Sequence, residues 1–291
     1  MREAEEETRR AKAAAMKQQG AWLNWEGAKT RKVSWNELWK MDTCRIKFLL
    51  QAVYDLLPSP TNLTVWGKTE DPRCKLCGKH GNLEHILSSC STALTEGRYR
   101  WRHDKILREV ANLLNQGKAQ LKSQGKKGPV FINFVPAGKK STRASKEMTG
   151  VLKTAADWEL VVDLGRQLKF PQDVSTTRLR PDILLLSRNT KQVIMIELTV
   201  PWEDQMEEAN ERKRRKYQEL VDEYKAAGWM TRCEPVEVGA RGFIGQSMWR
   251  CLRMLGIIGE ARKKGLATIA DTAERSSRCL WLKRDQTWSR P

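Results

Sequence analysis

The sequence predicts an α/β fold, a mixed sheet flanked by helices, preceded by a mostly helical region and a compact Cys/His cluster. Three observations carry this. Residues 179–187 and 193–200 are nearly continuous runs rich in Ile, Val and Leu, the pattern of strands buried on both faces. An amphipathic stretch over 203–227, closed by Gly228, leads from them to another strand at 232–238. Strands joined through a crossover helix point to helices packed on a sheet. Cys74, Cys77, His85 and Cys90 fall close together upstream of all this.

Taken in order, residues 1–68 read as a helical, Trp-rich region. Its first 20 residues form a charged helix with no evident core face. Trp22, Trp25, Trp35, Trp39 and Trp66 follow, expected in a core more than on a base-stacking platform. Ile46, Phe48, Leu49, Leu50, Val53, Tyr54, Leu56 and Leu57 mark an amphipathic helix stopped by Pro58 and Pro60. Residues 69–115 hold the Cys/His cluster and a helix over 106–114. Residues 116–150 read as a basic linker, Gly/Lys/Ser-rich on both sides of a short apolar run at 130–135. Residues 151–291 form the α/β region. It opens on a strand at 158–164, Pro235 places the 232–238 strand near an edge, and helices follow over 245–255 and 259–282.

Composition narrows the class. The chain has 53 basic and 35 acidic residues, net +18, with pI about 9.8. That charge calls for a polyanionic partner, nucleic acid first. The excess is uneven: residues 91–150 carry net +9, whereas 151–230 carry −1. Neither a membrane span nor a secretory leader is expected, because apolar runs are short and the first 17 residues are charged. Seven cysteines, an odd number with three clustered, argue for metal ligation in a reducing compartment over a disulfide framework.

Cys74-x2-Cys77-x7-His85-x4-Cys90 has the spacing of a zinc knuckle. Two cysteines two residues apart clasp an ion from a tight turn that Gly78 permits, and His85 and Cys90 close the tetrahedron. Thiolate and imidazole are zinc's preferred ligands, and four leave no open position, so the ion would be structural. His80 is the substitute for His85.

Arg180-Pro181-Asp182 opens one strand, and Glu197 interrupts the next after fourteen intervening residues. A carboxylate in so apolar a strand is costly unless paired or metal-bound. Two on neighbouring strands suit a hard cation, Mg²⁺ or Mn²⁺. The plainer alternative is an ion pair with Arg180 or Arg178. The string Arg98-Tyr99-Arg100-Trp101-Arg102 interleaves cations and aromatics. It reads equally as a nucleic-acid contact and as a helix packing Tyr99 and Trp101 inwards, and Arg180 is a further candidate contact.

Pro-Asp, a spacer, then Glu resembles the PD-(D/E)xK nuclease superfamily. That pattern expects lysine at position 199, where this chain has Thr199. The next helix offers a replacement. Its apolar stripe runs through Met206, Ala209, Tyr217, Leu220, Val221 and Tyr224, and at 100° per residue Lys213 falls inside it, with Lys216 on the flank. A lysine there needs a charge partner. Arg212, Arg214 and Arg215 point further towards solvent, and the run also reads as a solvated basic segment or nuclear import signal.

A lysine shifted to the following helix is similar to the restriction-like endonucleases of non-LTR retrotransposons, which also carry a Cys-Cys-His-Cys knuckle before the nuclease. Ile196-Glu-Leu-Thr-Val-Pro-Trp-Glu203 and Lys213-Arg-Arg-Lys216-Tyr217 resemble their core. The Trp-rich opening and Leu56-Leu57-Pro58-Ser-Pro60 resemble the segment that follows their reverse transcriptase. The resemblance implies a PD-(D/E)xK restriction-endonuclease-like core that nicks target DNA, so that a 3′-hydroxyl primes reverse transcription. It implies Mg²⁺ held by Asp182 and Glu197, assistance from Lys213, a phosphate contact by Lys216, and Asp163 as a third acid. It also implies nuclear localisation, element RNA as a further partner, and a reverse transcriptase domain normally upstream, since no Tyr/Phe-x-Asp-Asp polymerase signature occurs here. The reading from another class is a non-catalytic, zinc-stabilised nucleic-acid-binding module, and a weaker one is junction or RNA cleavage.

Overall fold

A computed structural model describes residues 2–15, 27–29, 34–124, 150–165, 168, 177 and 179–291. Trp22, Trp25, Arg178 and the apolar run at 130–135 lie outside these residues.

Helix α1 (Arg2–Ala14) opens the chain. Helix α2 (Trp35–Lys40) starts at a capping box, Ser34 accepting from the Glu37 amide while the Glu37 carboxylate accepts from Ser34. Helix α3 (Thr43–Val53) is capped by Asp42 and buries Arg45, Phe48, Leu49 and Ala52. Helix α4 (Pro60–Val65) begins with Pro60 at its first turn behind Ser59, where a missing N–H costs nothing. The expectation of a tryptophan core does not hold for this region. Trp35 and Trp39 are 76% and 82% exposed, because α2 is too short to bury a face and none of its residues is buried.

A short helix α5 (Ser91–Thr95) leads through Gly97, at φ +75°, into helix α6 (Arg98–Gln124). Residues 116–124, expected as linker, continue this helix. Val110, Leu113 and Leu114 extend the apolar stripe of Ile106 and Leu107, so the helix has a surface to hold it.

The sheet contains β1 (Glu159–Val162), β2 (Ile183–Ser187), β3 (Gln192–Thr199) and β4 (Met230–Glu237) in that order. β1–β2 and β2–β3 are antiparallel, and β3–β4 is parallel across helix α7 (Met206–Ala226). The fold is therefore mixed α/β with a four-stranded mixed sheet. β2 starts four residues later than the apolar run, just past Pro181. β4 is an edge strand, where Pro235 removes only one ladder donor.

Both sheet faces are covered, which explains the unbroken apolar runs of β2 and β3. Leu184, Leu186, Val193 and Met195 face Tyr217, Leu220, Val221 and Tyr224 of α7. Ile183, Leu185, Ile194, Ile196 and Leu198 face α6 together with helices α8 (Gln246–Leu255) and α9 (Gly259–Leu282). The α6–α9 crossing is close at Gly265, where a Cβ would lie 2.5 Å from the Leu113 side chain.

A separate apolar cluster joins Phe48, Ala52 and Leu57 to Leu83, Ile86 and Leu87, and to Trp202, Ala240, Leu280 and Trp281. The Cys/His segment is thus packed against the α/β region. Two buried ion pairs tie the same layers. Arg45 on α3 bonds Glu274 on α9 at 2.8 Å and also reaches Asp271, and Arg241 bonds Glu203 at 2.7 Å while stacking 3.9 Å from the Trp202 ring centroid.

Candidate functional site

Two polar clusters stand out, one local in sequence and one assembled by the sheet. In the first, Cys74 and Cys77 sit on a turn with Gly78 at φ +73°, closed by Gly78 N–H to Cys74 O at 2.8 Å and Cys74 N–H to Lys79 O at 2.6 Å. His85 opens a single wide helical turn, His85–Ser89, and Cys90 stands at the start of α5. Cys77 Sγ lies 3.1 Å from His85 Nε2. The four ligand atoms of Cys74, Cys77, His85 and Cys90 all fall within 4.8 Å of one another, so this Cys3His set could hold a zinc ion. Among the described residues it is the only group of three or more such ligands brought together for an ion. His80 is not part of it. It is exposed, with Nε2 3.2 Å from Thr61 Oγ1. Burial, and then the neighbouring thiols, hold Cys90 up to about 11, so a thiolate there calls for a cation. Tyr99 braces the cluster from α6. Its hydroxyl accepts from Cys90 N–H at 3.0 Å and reaches Ile86 O at 2.9 Å.

The second cluster is a row of carboxylates across the sheet end. Val162 pairs with Ile183, and one step further Asp163 N–H donates to Asp182 O at 2.8 Å. Ile183 pairs with Ile196, and one step further Asp182 N–H donates to Glu197 Oε2 at 3.2 Å. Strand register therefore sets Asp163, Asp182 and Glu197 side by side on the sheet face that α7 covers. All three residues are buried.

Each carboxylate is held. Asp163 Oδ1 accepts from Leu168 N–H at 2.8 Å. Asp182 Oδ2 accepts from Leu198 N–H at 2.8 Å and lies 3.2 Å from His103 Nε2. Glu197 Oε1 meets Lys213 Nζ at 2.5 Å and Lys216 Nζ at 3.7 Å, while Oε2 accepts from the Tyr217 hydroxyl at 2.9 Å. One turn of α7 thus supplies Lys213, Lys216 and Tyr217 to a single carboxylate, as i, i+3 and i+4 geometry allows. Burial, then the Glu197 charge, raise the Tyr217 hydroxyl well above its usual range, so it stays a proton donor.

These groups open on a cleft of ≈ 810 Å³, lined also by Arg100, Arg180, Arg212 and Arg290. Four of the cationic candidates separate here. Arg100 bonds Asp104 at 2.8 Å and the Asp163 carbonyl at 3.2 Å, and Arg180 is exposed; both line the cleft. Arg98 and Arg102 are instead buried and bonded within the fold, though Arg102 also borders the cleft. They are 2% and 1% exposed. Arg98 bonds Glu96 at 2.5 Å and the carbonyls of Lys283 and Gln286, and Arg102 bonds Ser277 Oγ at 3.0 Å and Val200 O at 3.3 Å. They fasten α6 to α9 and the C-terminal turn. Trp101 is half-buried edge-on against Trp288, with centroids 5.6 Å apart, so it packs inwards and is no open stacking platform.

His103 is the site residue that sequence reasoning passed over. Burial works against its charge, but hydrogen bonds to Asp104 and Asp182 outweigh it and lift the imidazole to about 9. The available signal was positional. His103 shares the stripe of Ile106, Leu107 and Val110 at i+3, i+4 and i+7, where a titratable side chain needs a partner. Thr199, at the position of the expected lysine, lines the cleft and its buried Oγ1 makes no hydrogen bond.

No known protein family and no curated protein matches this chain. No helix among the described residues is long and apolar enough to cross a membrane.

Proposed function

We propose that the chain is a metal-dependent DNA endonuclease of the PD-(D/E)xK type, related to the C-terminal region of non-LTR retrotransposon polyproteins. The observation that carries the reading is the carboxylate row with a lysine on it: Asp182 and Glu197 adjacent across β2 and β3, with Lys213 Nζ 2.5 Å from Glu197 Oε1. The donor set suits a hard divalent ion, since it is all carboxylate oxygen, and it opens on a cleft of ≈ 810 Å³ lined by Arg100, Arg180, Lys213 and Lys216.

Asp182 and Glu197 would hold Mg²⁺ or Mn²⁺, with Asp163 beside them. When bound, the ion would activate water and neutralise charge on the phosphodiester leaving oxygen. The protein's own groups do the rest. Leu198 N–H and Tyr217 O–H fix the two carboxylates in orientation. Lys213, which borders the cleft beside Glu197, would stabilise negative charge that develops on the reacting phosphate. Lys216, Arg100 and Arg180 contact the flanking phosphates. The Cys3His segment, with zinc bound, would brace α6 through Tyr99, which bonds it at Cys90 and Ile86.

The resemblance further suggests that the nick primes reverse transcription by a domain normally upstream, with element RNA as a second partner, in the nucleus. The competing reading is a non-catalytic, zinc-stabilised nucleic-acid-binding module. What favours it is that each metal-site carboxylate already has a protein cation, His103 for Asp182 and Lys213 for Glu197, and that Thr199 replaces the expected lysine.

Incubation of supercoiled plasmid with zinc-loaded protein and Mg²⁺ tests the reading. Nicking that disappears in Asp182→Ala and Glu197→Ala supports the nuclease. Salt-sensitive DNA binding without nicking by the unaltered protein supports the binding module.

A further inference from the structure

A second concentration of positive charge lies outside the carboxylate cleft and shares none of its lining residues. It is built around Trp249 on α8. Lys29 Nζ stands 4.5 Å from the ring centroid, the Arg262 guanidinium 4.2 Å and the Arg253 guanidinium 5.6 Å. One indole thus gathers three cations from three segments: the strand-like stretch before α2, the end of α8 and the start of α9. The first is anchored by Lys29 N–H to Ile244 O at 2.7 Å and Gln246 N–H to Gly27 O at 2.8 Å.

Among the described residues neither Lys29 nor Arg262 has a carboxylate partner. Nη1 of Arg262 is out of solvent and makes no hydrogen bond. Arg262, Lys263 and Lys264 also occupy the first turns of α9, the positive end of the helix dipole, where the one acid, Glu260, lies 4.0 Å from Lys263. The acids that line the cavity beside Lys29 and Trp249, Glu37 and Asp271, are spent within the fold. Glu37 caps α2, and Asp271 is held by Arg45 and Arg275. Folding has therefore collected like charges that repel one another, at a cost that a polyanion would offset. The ring's cation–π contacts keep the guanidinium planes in place for repeated phosphates.

We propose that the Trp249 cluster of Lys29, Arg253 and Arg262 is a second nucleic-acid site, binding a polynucleotide phosphate backbone away from the cleavage cleft. It anchors a segment of strand and takes no part in hydrolysis. The ligand chemistry is the phosphodiester backbone, common to DNA and RNA. The site stands whether or not the cleft hydrolyses DNA.

The test is a salt titration of oligonucleotide binding by fluorescence anisotropy, on the full zinc-loaded chain. Unaltered protein is compared with the triple variant Lys29→Gln, Arg253→Gln, Arg262→Gln, using duplex DNA, single-stranded DNA and RNA in separate arms. The expected result is a slope of log K against log salt shallower by about 2–3, and affinity weaker by at least about tenfold, in one arm or more. The arm affected says which strand the site takes. The Arg253→Lys, Arg262→Lys variant should keep the slope, which separates charge from fold. Plasmid nicking by the triple variant at saturating protein should match the unaltered protein, so that absence of nicking in both speaks against the nuclease alone. Unchanged slopes in every arm would overturn the proposal. So would competition by polyglutamate as effective as by oligonucleotide of equal charge.

Discussion

The Cys/His cluster and the carboxylate row solve opposite problems. The first draws four ligands, three of them thiols, from one short segment, Cys74 to Cys90, with Lys79 as a nearby positive charge. The second draws Asp163 from the end of β1, Asp182 from the start of β2 and Glu197 from β3, and the fold sets His103 against Asp182 and Lys213 against Glu197. A local cluster of thiols would depend on a bound ion to hold its shape. A non-local one, set by strand register and partly neutralised within the fold, is held in place before any ion or substrate arrives. The knuckle should therefore be fragile to metal loss, and the row robust to it.

The largest expected effect follows from that contrast. Cys77→Ser, or a strong chelator, should remove zinc from a protein that otherwise holds about one per chain. Since zinc-site binding energies reach about 10 kcal/mol, the Cys74–Cys90 segment should lose its structure, read as collapse of amide-exchange protection there. Protection of β2 and β3 should persist. Simultaneous loss in both regions would erase the distinction.

A step smaller is the buried ion pair that fastens the loop between β3 and α7. Glu203→Ala leaves Arg241 charged and out of water, and should cost about 3–5 kcal/mol in denaturant unfolding. Replacing a buried partner in this way is far more damaging than cutting an exposed pair such as Arg73–Asp71.

Next come effects on turnover with the fold intact. Lys213→Ala should lower nicking by about 100-fold or more, the range for a group acting at the reacting phosphate. Lys216→Ala should cost much less, because its ammonium is more distant from Glu197 and more exposed. Equal losses would mean that both lysines act alike. The smallest effects belong to the cleft rim. Arg100→Gln or Arg180→Gln should weaken DNA binding and reduce the salt slope by about one each. Arg98→Gln should instead lower thermal stability, because its bonds are to Lys283 and Gln286 carbonyls.

What the sequence could reveal divides along the same line. The Cys3His ligands are legible because their spacing is local. The strands of the sheet are legible because burial on both faces leaves long apolar runs. Glu197 and Lys213 betray themselves as charges on apolar stripes. Arg98 and Arg102 mislead, since a cation–aromatic string looks the same on a binding face and in a packed seam. Only the C-terminal residues 277–288, nearly two hundred positions away, reveal which it is. His103 is hidden for the same reason: its partner Asp182 is 79 residues distant. The length of α6 is obscured by a Gly/Lys/Ser composition whose helical half is stabilised by packing.

The most direct measurement compares unaltered protein with Glu197→Gln on supercoiled plasmid in Mg²⁺, with DNA binding measured in parallel. The substituted amide keeps the shape of the side chain and an oxygen for the Tyr217 hydroxyl, but loses the charge that would hold the ion. The expected result is nicking by the unaltered protein, none by the variant, and equal binding by both. Equal nicking by the two, or tight binding with no nicking by the unaltered protein, would contradict a metal-dependent nuclease built on this carboxylate row.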